Sequence, residues 1–283
     1  MAQSKQALRS RIKSVNSTRK ITKAMEMIAN AKLFKQKNRM QANKNYSQRL
    51  QSTVNEIVAR NPQAESIFLE KRTNPKRMTI IFCSDLGLCG AYNQNMLKMA
   101  RAELNKADPV IVIGTSLYPL MKEEGFNLAQ EEAISTDALT FSQMERIINR
   151  GIDLYLSNQI GGLQVLYTQF VNTMTFRPEL DLLLPCTFAD IKKDTEKAEA
   201  ETLFEPDAAS ILDSLIPMMA AEVAYAEWLE SSTSEQGSRR MAMKTATDNA
   251  DELSSDLLLE YNKVRQSSIT QEITEIVAGS NAV

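Results

Sequence analysis

The feature that most constrains this chain is a long stretch near its start that has no helix-breaking residue. From Ser4 to Arg60 there is neither proline nor glycine, and these two residues are the usual breaks in a helix. The stretch therefore predicts one helix, which would be roughly 80 Å long at ~1.5 Å per residue. The whole chain of 283 residues has only 9 glycines and 8 prolines, so other long helices are expected.

Apolar residues in this stretch recur at steps of three and four, which places each group on one helix face. The groups are Leu8, Ile12 and Val15, then Ile21, Met25 and Ile28, and later Tyr46, Leu50, Val54 and Ile57. Residues 35–45 are poor in apolar side chains. A helix that continues through them would have to be exposed or held by a polar partner.

A second long helix is expected from Asp207 to the end of the chain, kinked by Pro217 and weakened at Gly237. Its apolar residues recur at a spacing typical of a coiled coil. They are Met243, Ala246, Ala250, Leu253, Leu257, Tyr261 and Val264, and Ile269, Ile273, Ile276 and Val277 continue an apolar face. Stripes this narrow can be buried against each other, which predicts a long antiparallel coiled coil of N- and C-terminal helices.

Between the two helices, short apolar segments alternate with helical ones. The expected strands are Met78–Cys83, Pro109–Gly114 and Leu163–Asn172, and the expected helices lie at about 93–106, before Gly125 and at 141–159. This alternation predicts βαβ units, a largely parallel sheet and a central Rossmann-like α/β domain. The expected segments are an N-terminal helix 1–60, a linker 61–76, an α/β domain 77–205 and a C-terminal helix 206–283. Within them, residues 190–201 are expected to form a charged, exposed connector.

Composition excludes several kinds of chemistry. The chain has no histidine, which removes histidine general bases, Ser-His and Cys-His nucleophile pairs, and histidine metal ligands. Its three cysteines, Cys83, Cys89 and Cys186, cannot form a four-cysteine zinc site, and they lack the spacing of a disulfide framework. No metal and no cofactor are therefore expected.

Two further absences bear on location. No uninterrupted apolar run approaches ~18 residues, so no membrane span is expected. The first residues are basic and polar without the apolar core of a secretory signal. Both observations favour a cytoplasmic protein, or one that is peripheral to a larger assembly.

The most enzyme-like stretch is residues 83–93, CSDLGLCGAYN, a glycine turn after the first expected strand. Such turns hold phosphate in nucleotide-binding folds. However, the spacing is neither G-x-G-x-x-G nor G-x-x-x-x-G-K-[ST], and no lysine follows. Asp85 is expected to accept hydrogen bonds from backbone amides of the turn, rather than to act as a catalytic carboxylate or metal ligand. A structural turn is the favoured interpretation.

Charge is distributed very unevenly along the chain. Residues 1–50 contain thirteen Lys or Arg and a single acid, Glu26, so they carry +12 in a chain whose net charge is −2. This basic arm could bind nucleic acid through phosphate neutralisation, or it could engage an acidic protein surface. It could also be a solvated helix face. No nucleic-acid reading motif accompanies the basic residues.

Several separated stretches closely resemble one family, the gamma subunits of F-type ATP synthases. Residues 11–29 (RIKSVNSTRKITKAMEMIA) are similar to the family's opening helix, and 242–250 (AMKTATDNA) and 261–277 (YNKVRQSSITQEITEIV) to its closing helix. Residues 84–93 resemble its first strand turn and 204–207 (FEPD) its entry into the last helix. The similarity covers essentially the whole chain in the same order. The chain departs from the family at Leu86, Arg240 and Ser280, where Arg, Met and Ala are usual.

The resemblance implies a non-catalytic subunit of a proton-translocating complex. In this family the terminal helices form a rotating shaft inside a ring of three alpha and three beta subunits. The middle domain binds the epsilon subunit and the membrane ring of c subunits. Rotation of the shaft drives the beta subunits through their nucleotide states, so that catalysis belongs to the partner ring.

The resemblance also implies where partners contact this chain. The implied shaft-to-beta contacts are Met25, Arg265, Gln266, Ile269, Ile273 and Ile276. The implied location is peripheral, at the cytoplasmic face of the cell membrane of a bacterium. A nucleic-acid-binding coiled-coil protein that uses the basic arm is the alternative, and it comes from a different functional class.

Overall fold

The structure is a computed structural model that describes residues 5–61, 63–64, 66–70, 72–137, 139–186, 205 and 207–280. The expected connector 190–201 lies outside the described residues. In chain order the elements are α1 (Lys5–Arg60), β1 (Arg77–Phe82), α2 (Tyr92–Glu103), β2 (Val110–Ile113), α3 (Tyr118–Glu123), α4 (Phe141–Leu156), β3 (Gly162–Phe170), β4 (Phe176–Leu184) and α5 (Ala208–Ser280). The predicted pair of long terminal helices and the α/β segment between them are confirmed.

By internal contacts the chain divides into two compact units. One comprises Met1–Ala31 and Arg239–Val283, and the other comprises Lys32–Ser238. We call the first the helical pair and the second the α/β unit. Helices α1 and α5 each contribute one part to the helical pair and one part to the α/β unit.

The α/β unit contains a four-stranded sheet in the order β2-β1-β3-β4. Strand β1 pairs in parallel with β2 and with β3, as the alternating pattern predicts. Strand β4 pairs antiparallel with β3, from Phe170↔Phe176 to Leu163↔Leu184. The sheet is therefore parallel at its centre and has one antiparallel edge.

Strand β4 is missing from the sequence prediction, although its sequence carries a signal. In FRPELDLLL, apolar residues alternate with Arg177, Glu179 and Asp181, which is typical of a half-buried strand. Pro178 argues against a central strand because proline has no backbone N–H to donate. It is tolerated because β4 lies at the edge of the sheet.

Helices cover both faces of the sheet. Successive residues of a strand point to opposite faces, so each strand contributes side chains to two cores. On one face, Ile81 and Cys83 pack with residues of α2 and α3 such as Met96 and Met121. On the other, the strand residues share a core with α4 and with segments of α1 and α5. The buried members of that core include Met78, Ile80, Phe82, Met144, Ile148, Leu50, Val54, Ile57, Leu212 and Ile216.

The polar middle of α1 is held by polar partners on α5, as one of the two sequence alternatives required. The Asn43 side-chain amide donates to Glu222 Oε1 at 2.7 Å. Arg39 donates to the Tyr225 hydroxyl at 3.0 Å, and its guanidinium lies 5.7 Å from the centre of the Trp228 ring. Charge and aromatic contacts therefore replace the apolar stripe over this part of the helix.

Helix α5 continues through both Pro217 and Gly237. Within Ala208–Ala278 it contains an 18-residue window of mean hydropathy 1.2, so by length and composition alone one described helix could cross a membrane. The same helix supplies Leu212, Ile216 and Ala220 to the buried core of the α/β unit. We therefore interpret its hydropathy as that of a core helix.

At Gly237, α5 lies close to Phe176 of β4, and the helix continues through this residue. A Cβ atom built on Gly237 would lie 2.6 Å from Cζ and 2.8 Å from Cε1 of Phe176. Contacts this short force the Phe176 ring or the helix to move. The missing side chain at Gly237 is thus what allows the aromatic ring to pack against the helix.

We expect Gly237→Ala to lower the free energy of unfolding by about 1–3 kcal/mol, because overpacking outweighs the better helix propensity of alanine. Urea denaturation followed by circular dichroism measures the change. Gly87→Ala is the matched control, since a Cβ there meets nothing within 4 Å. Equal midpoints for the two variants would show that the contact with Phe176 is not restrictive.

Candidate functional site

Asp85 is the central side chain of the glycine turn after β1, the stretch that most resembles an enzyme site. Asp85 Oδ1 accepts from the Thr115 backbone N–H at 3.1 Å. Its Oδ2 accepts from the Ser135 hydroxyl at 2.8 Å, from the Thr136 backbone N–H at 2.9 Å and from the Thr136 hydroxyl at 2.8 Å. Asp85 therefore joins its own turn to the loop after β2 and to the segment before α4. It does accept hydrogen bonds from backbone amides, as predicted, but these are the amides of Thr115 and Thr136, which lie outside the turn.

These hydrogen bonds also set the charge of Asp85. Partial burial by itself would raise the pKa of the Asp85 carboxyl, but hydrogen bonds from Ser135, Thr136 and Thr115 outweigh it and lower the pKa below 3.8. Asp85 is therefore a carboxylate at neutral pH with its acceptor sites occupied by the protein's own groups. That state does not suit a general acid, which must carry a proton.

Cys83, at the start of this turn, is not a nucleophile at neutral pH. Burial raises the pKa of the Cys83 thiol to about 12, so the reactive thiolate is scarcely populated. Cys83, Cys89 and Cys186 are all free and buried. Among the described residues, no group of three or more cysteine or acidic side chains could hold a metal ion. The glycine turn is therefore interpreted as a structural element.

The helical pair is held by a regular seam on α5. From Met243 onward, all but one of its buried and half-buried positions recur at alternating steps of four and three, as in a coiled coil. They are Met243, Thr247, Ala250, Ser254, Leu257, Tyr261, Val264 and Ser268. Ala246, a predicted seam residue, is also half-buried but lies off this spacing, and the predicted seam was wrong at Leu253, which is 41% exposed. A seam through apolar residues alone needs two consecutive steps of four, whereas the structure keeps the regular spacing and places Thr247 and Ser254 in the seam.

The partner seam on α1 has the same spacing. Its members in the helical pair are Leu8, Ile12, Val15, Arg19, Thr22, Glu26 and Ala29. The predicted stripe was wrong as a buried face at Ile21 and Ile28, which are 60% and 59% exposed, whereas its third member, Met25, is half-buried. Tyr46, assigned to the later stripe, is 54% exposed. Polar residues at regular positions are thus preferred to apolar residues off the seam.

Polar contacts across the seam fix its direction. The Thr247 hydroxyl donates to the Thr22 hydroxyl at 2.8 Å, and Arg19 pairs with Asp251 at 2.8 Å. The Ser254 hydroxyl donates to Asn16 Oδ1 at 3.3 Å. Each step forward on α1 is therefore matched by a step backward on α5, which confirms the antiparallel coiled coil.

This register explains why the end of α5 is exposed. Extended to the first described residue of α1, Lys5, it reaches about Arg265 on α5. Beyond that point α5 has no described part of α1 across from it, and the exposed fractions of Ile269, Ile273 and Ile276 are 45%, 56% and 71%. Large apolar side chains exposed in this way are typical of a surface that meets a partner.

Five of the six predicted contact residues lie together on this exposed segment. At 100° per residue, Arg265, Gln266, Ile269, Ile273 and Ile276 fall within an arc of about 100°. We call these five residues the terminal face. Arg265 and Gln266 are both exposed, so the face combines a charged and polar start with three isoleucines.

Met25, the sixth predicted residue, lies elsewhere on the helical pair. It is half-buried on α1, and the register places it across from about residue 245 of α5. That position is about 30 Å along the helix from Arg265, at ~1.5 Å per residue. The structure therefore separates Met25 from the terminal face.

A basic surface runs along α1 in the helical pair. Lys5, Arg9, Lys13 and Lys20 are spaced by four, four and seven residues, which places them on one side of the helix. Together with Tyr261 they line an open groove. This surface is the structural form of the basic arm, and its charge suits an anionic partner.

The three departures from the family pattern fall in different environments. Leu86 is 71% exposed at the glycine turn, where the arginine usual in the family is replaced by an apolar side chain. Arg240 is half-buried on α5. The side chain of Ser280 lies outside the described ones.

Comparison with known proteins points to one family. The family model described as ATP synthase matches residues 4–283. The ATP synthase gamma chain of Alkaliphilus metalliredigens is 37% identical over 283 residues, which cover 98% of each chain. The ATP synthase gamma chain of Symbiobacterium thermophilum is 36% identical over 288 residues, which cover 100% of this chain and 99% of the relative.

Solved structures share the fold. A chain of the central stalk and c-ring of the Tetrahymena thermophila mitochondrial ATP synthase matches with a TM-score of 0.56 and 20% identity, over 80% of this chain and 99% of that one. A chain of the Euglena gracilis mitochondrial ATP synthase in rotational state 3 matches with a TM-score of 0.56 and 17% identity, over 92% of this chain and 94% of that one.

The role of Asp85 predicts a pH-dependent effect. Because the pKa of Asp85 is lowered in the folded chain, its stabilising contribution is present above the unfolded pKa and is lost as the pH falls through the folded value. We expect Asp85→Asn to lower the free energy of unfolding by about 1–3 kcal/mol at pH 7. The loss should be smaller near pH 3, because the contribution begins to disappear below the ordinary pKa of Asp. Urea titrations at both pH values measure it, and losses of equal size would contradict the assignment.

The corrected seam predicts different costs for two leucines four residues apart. Leu257 is 4% exposed and Leu253 is 41% exposed. We expect Leu257→Ala to destabilise the helical pair by about 2–4 kcal/mol, and Leu253→Ala by less than about 1 kcal/mol. Hydrogen exchange of amides in residues 239–278, measured in the full chain, reports this locally. A larger destabilisation by Leu253→Ala than by Leu257→Ala would contradict this seam and support the one predicted from the sequence.

Proposed function

The chain belongs to the ATP synthase gamma-chain family, and on this premise we propose that it is the rotating central-stalk subunit of a proton-translocating F-type ATP synthase. In this role it transmits torque between a membrane ring and a catalytic ring, and it supplies no catalytic residue itself. The observation that carries the proposal is the helical pair, an antiparallel coiled coil in which the longer helix, α5, ends in the exposed terminal face.

The seam of the helical pair suits a torque-bearing rod. Apolar packing alone is non-directional, so helices joined only by leucines can slide by one turn at modest cost. Contacts such as Thr22 with Thr247 and Asn16 with Ser254 are directed and hold one register. Polar residues at seam positions have this use in coiled coils generally.

The terminal face is the part of the chain that we assign to the catalytic ring. Its isoleucines fit an apolar bearing formed by alpha and beta subunits, because uncharged side chains allow rotation without breaking ion pairs. Arg265 and Gln266, at the start of the face, can contact a loop of a beta subunit. Met25, together with the basic surface of α1, suits a second contact with an acidic loop.

The remaining partners are assigned to the α/β unit. We propose that it binds the epsilon subunit and the membrane ring of c subunits, which places the chain peripherally at the cytoplasmic face of the cell membrane. Support comes from the Tetrahymena structure, which is that of the central stalk and the c-ring. Mostly bacterial relatives favour the cell membrane over an organelle.

The nucleic-acid alternative has no support from the relatives or the solved structures. We therefore assign the basic surface of α1 to contact with an acidic protein surface. Steep loss of DNA affinity with rising salt would revive the alternative, since that behaviour marks phosphate neutralisation.

The proposal is tested by isolating the chain with its partners. A tag is inserted near Thr195, in the charged connector outside the described residues, and gently solubilised membranes are the source. Recovery of an ATP-hydrolysing complex with three copies each of two larger subunits is the expected result. Recovery of the chain alone, or with nucleic acid, would overturn the proposal.

The terminal face predicts a split between function and stability. In the assembled complex we expect Arg265→Ala with Gln266→Ala to lower turnover about tenfold, if one charge-assisted hydrogen bond of about 1.4 kcal/mol is lost from the limiting step. Both side chains are exposed, so the isolated chain should keep its stability within about 0.5 kcal/mol.

The matched control for this double variant is Lys263→Ala with Ser267→Ala. These residues are also exposed on α5, but at ~100° per residue they fall on the opposite side of the helix. The control complex should turn over at the rate of the unmodified one. Normal turnover in the Arg265 and Gln266 variant would remove these residues from the contact.

A further inference from the structure

Strand β3 continues past the end of its central neighbour. Pairing between β1 and β3 runs from Arg77↔Gly162 to Ile81↔Leu166, whereas β3 extends to Phe170. On its other side, Thr168 lies opposite Pro178 of β4, which has no N–H to offer. The backbone N–H and C=O of Thr168 therefore point to the side on which β1 has already ended. Because Thr168 is 3% exposed, these groups need partners within the protein.

Side chains of α5 take the place of the missing strand. The Ser231 hydroxyl accepts a hydrogen bond from the Thr168 N–H at 3.1 Å. The Ser234 hydroxyl donates to the Thr168 carbonyl at 3.1 Å. Further along the strand, Glu230 Oε1 accepts from the Phe170 N–H at 2.9 Å. One turn of the helix thus pairs with both backbone groups of one strand residue and with the N–H of another.

The same side of α5 also reaches the glycine turn. Ser231 shares a hydrogen bond of 2.8 Å with the Tyr92 hydroxyl at the start of α2. Ser238 donates to the Cys89 carbonyl at 2.6 Å. Residues four apart lie on one side of a helix, so these bonds and those to β3 form one continuous row.

This row explains an unusual composition in the centre of a core helix. Residues 231–237, SSTSEQG, are all buried, although serine, threonine and glutamate are mostly exposed in proteins. Small side chains allow α5 to approach the sheet closely, and hydroxyl groups supply the hydrogen bonds that β3 lacks. Because each bond is aimed at a fixed backbone atom, turning α5 about its own axis would break all of them together.

We propose that Glu230, Ser231 and Ser234 form a torque joint, which locks the rotation of α5 about its axis to the sheet of the α/β unit. The joint rests on the proposed function, since α5 carries torque only in a rotating stalk. These three residues act through the backbone of β3, so they are positioning residues and take no part in ATP chemistry. Core packing keeps α5 against the sheet, and the joint fixes the angle at which it sits.

The test uses the assembled complex in membrane vesicles. Ser231→Ala with Ser234→Ala removes the two hydroxyls with little change of volume. We expect orientations of α5 that are rotated about its own axis to become about tenfold more populated for each hydrogen bond lost, at 1.4 kcal/mol per tenfold. Ion uptake per ATP hydrolysed, assayed for protons and for sodium, should then fall. The torsional stiffness of the stalk, measured from rotational fluctuations of an attached probe, should fall with it.

Ser232→Ala is the matched control. It makes the same change in the same turn of α5 at a buried residue, and in the described part of the chain its hydroxyl has no hydrogen bond to the sheet. Uptake per ATP and stiffness should both stay at the values of the unmodified complex. If the double variant does not assemble, the same two quantities are measured in the single variant Ser234→Ala, which leaves the Ser231 bond to Thr168 in place.

Two results would overturn the joint. One is unchanged stiffness and uptake per ATP in the assembled serine variant, even where its melting temperature falls, because that outcome shows a merely structural role. The other is an equal loss in Ser232→Ala. Failure of the proposed function looks different, since the unmodified chain would then not accompany ATP-driven ion uptake at all.

Discussion

Burial of a narrow stripe between two antiparallel helices is the interaction on which the rest of this structure depends. Neither α1 nor α5 can form a core alone, because each offers only one seam position in every three or four residues. In the helical pair the two stripes cover each other, with Leu8, Ala29, Met243 and Leu257 among the buried residues. In the α/β unit, other segments of the same helices share a core with the sheet.

Polar residues inside these interfaces give direction to packing that would otherwise tolerate sliding. Thr22 with Thr247 does so in the helical pair, and Asn43 with Glu222 does so in the α/β unit. The serines of α5 that bond Thr168 follow the same logic against a strand. Each contact adds little net stability, but an unpaired buried group is costly. Alternative registers are therefore disfavoured more strongly than the native one is stabilised.

The features that look most like chemistry turn out to be structural, and the surface that we propose as functional is plain by comparison. Asp85 holds loops together, and the thiol of Cys83 is buried with a raised pKa. The terminal face, in contrast, consists of a few exposed side chains on an ordinary helix. That arrangement fits a subunit that acts by moving its partners, since such a role requires a stiff body and a defined contact surface.

The sequence by itself determined the two long helices, the parallel centre of the sheet and the family. These follow from local rules, namely the absence of Pro and Gly, the alternation of apolar segments, and motif order. Only the tertiary structure decided which residues of the helices are buried. Apolarity pointed to Ile21, Ile28 and Leu253, but a seam must keep steps of three and four to remain in contact, so Thr22, Thr247 and Ser254 occupy it. It also decided that a run of small polar residues in α5 completes the edge of β3, because the need for those hydrogen bonds arises only once β1 has ended beside it.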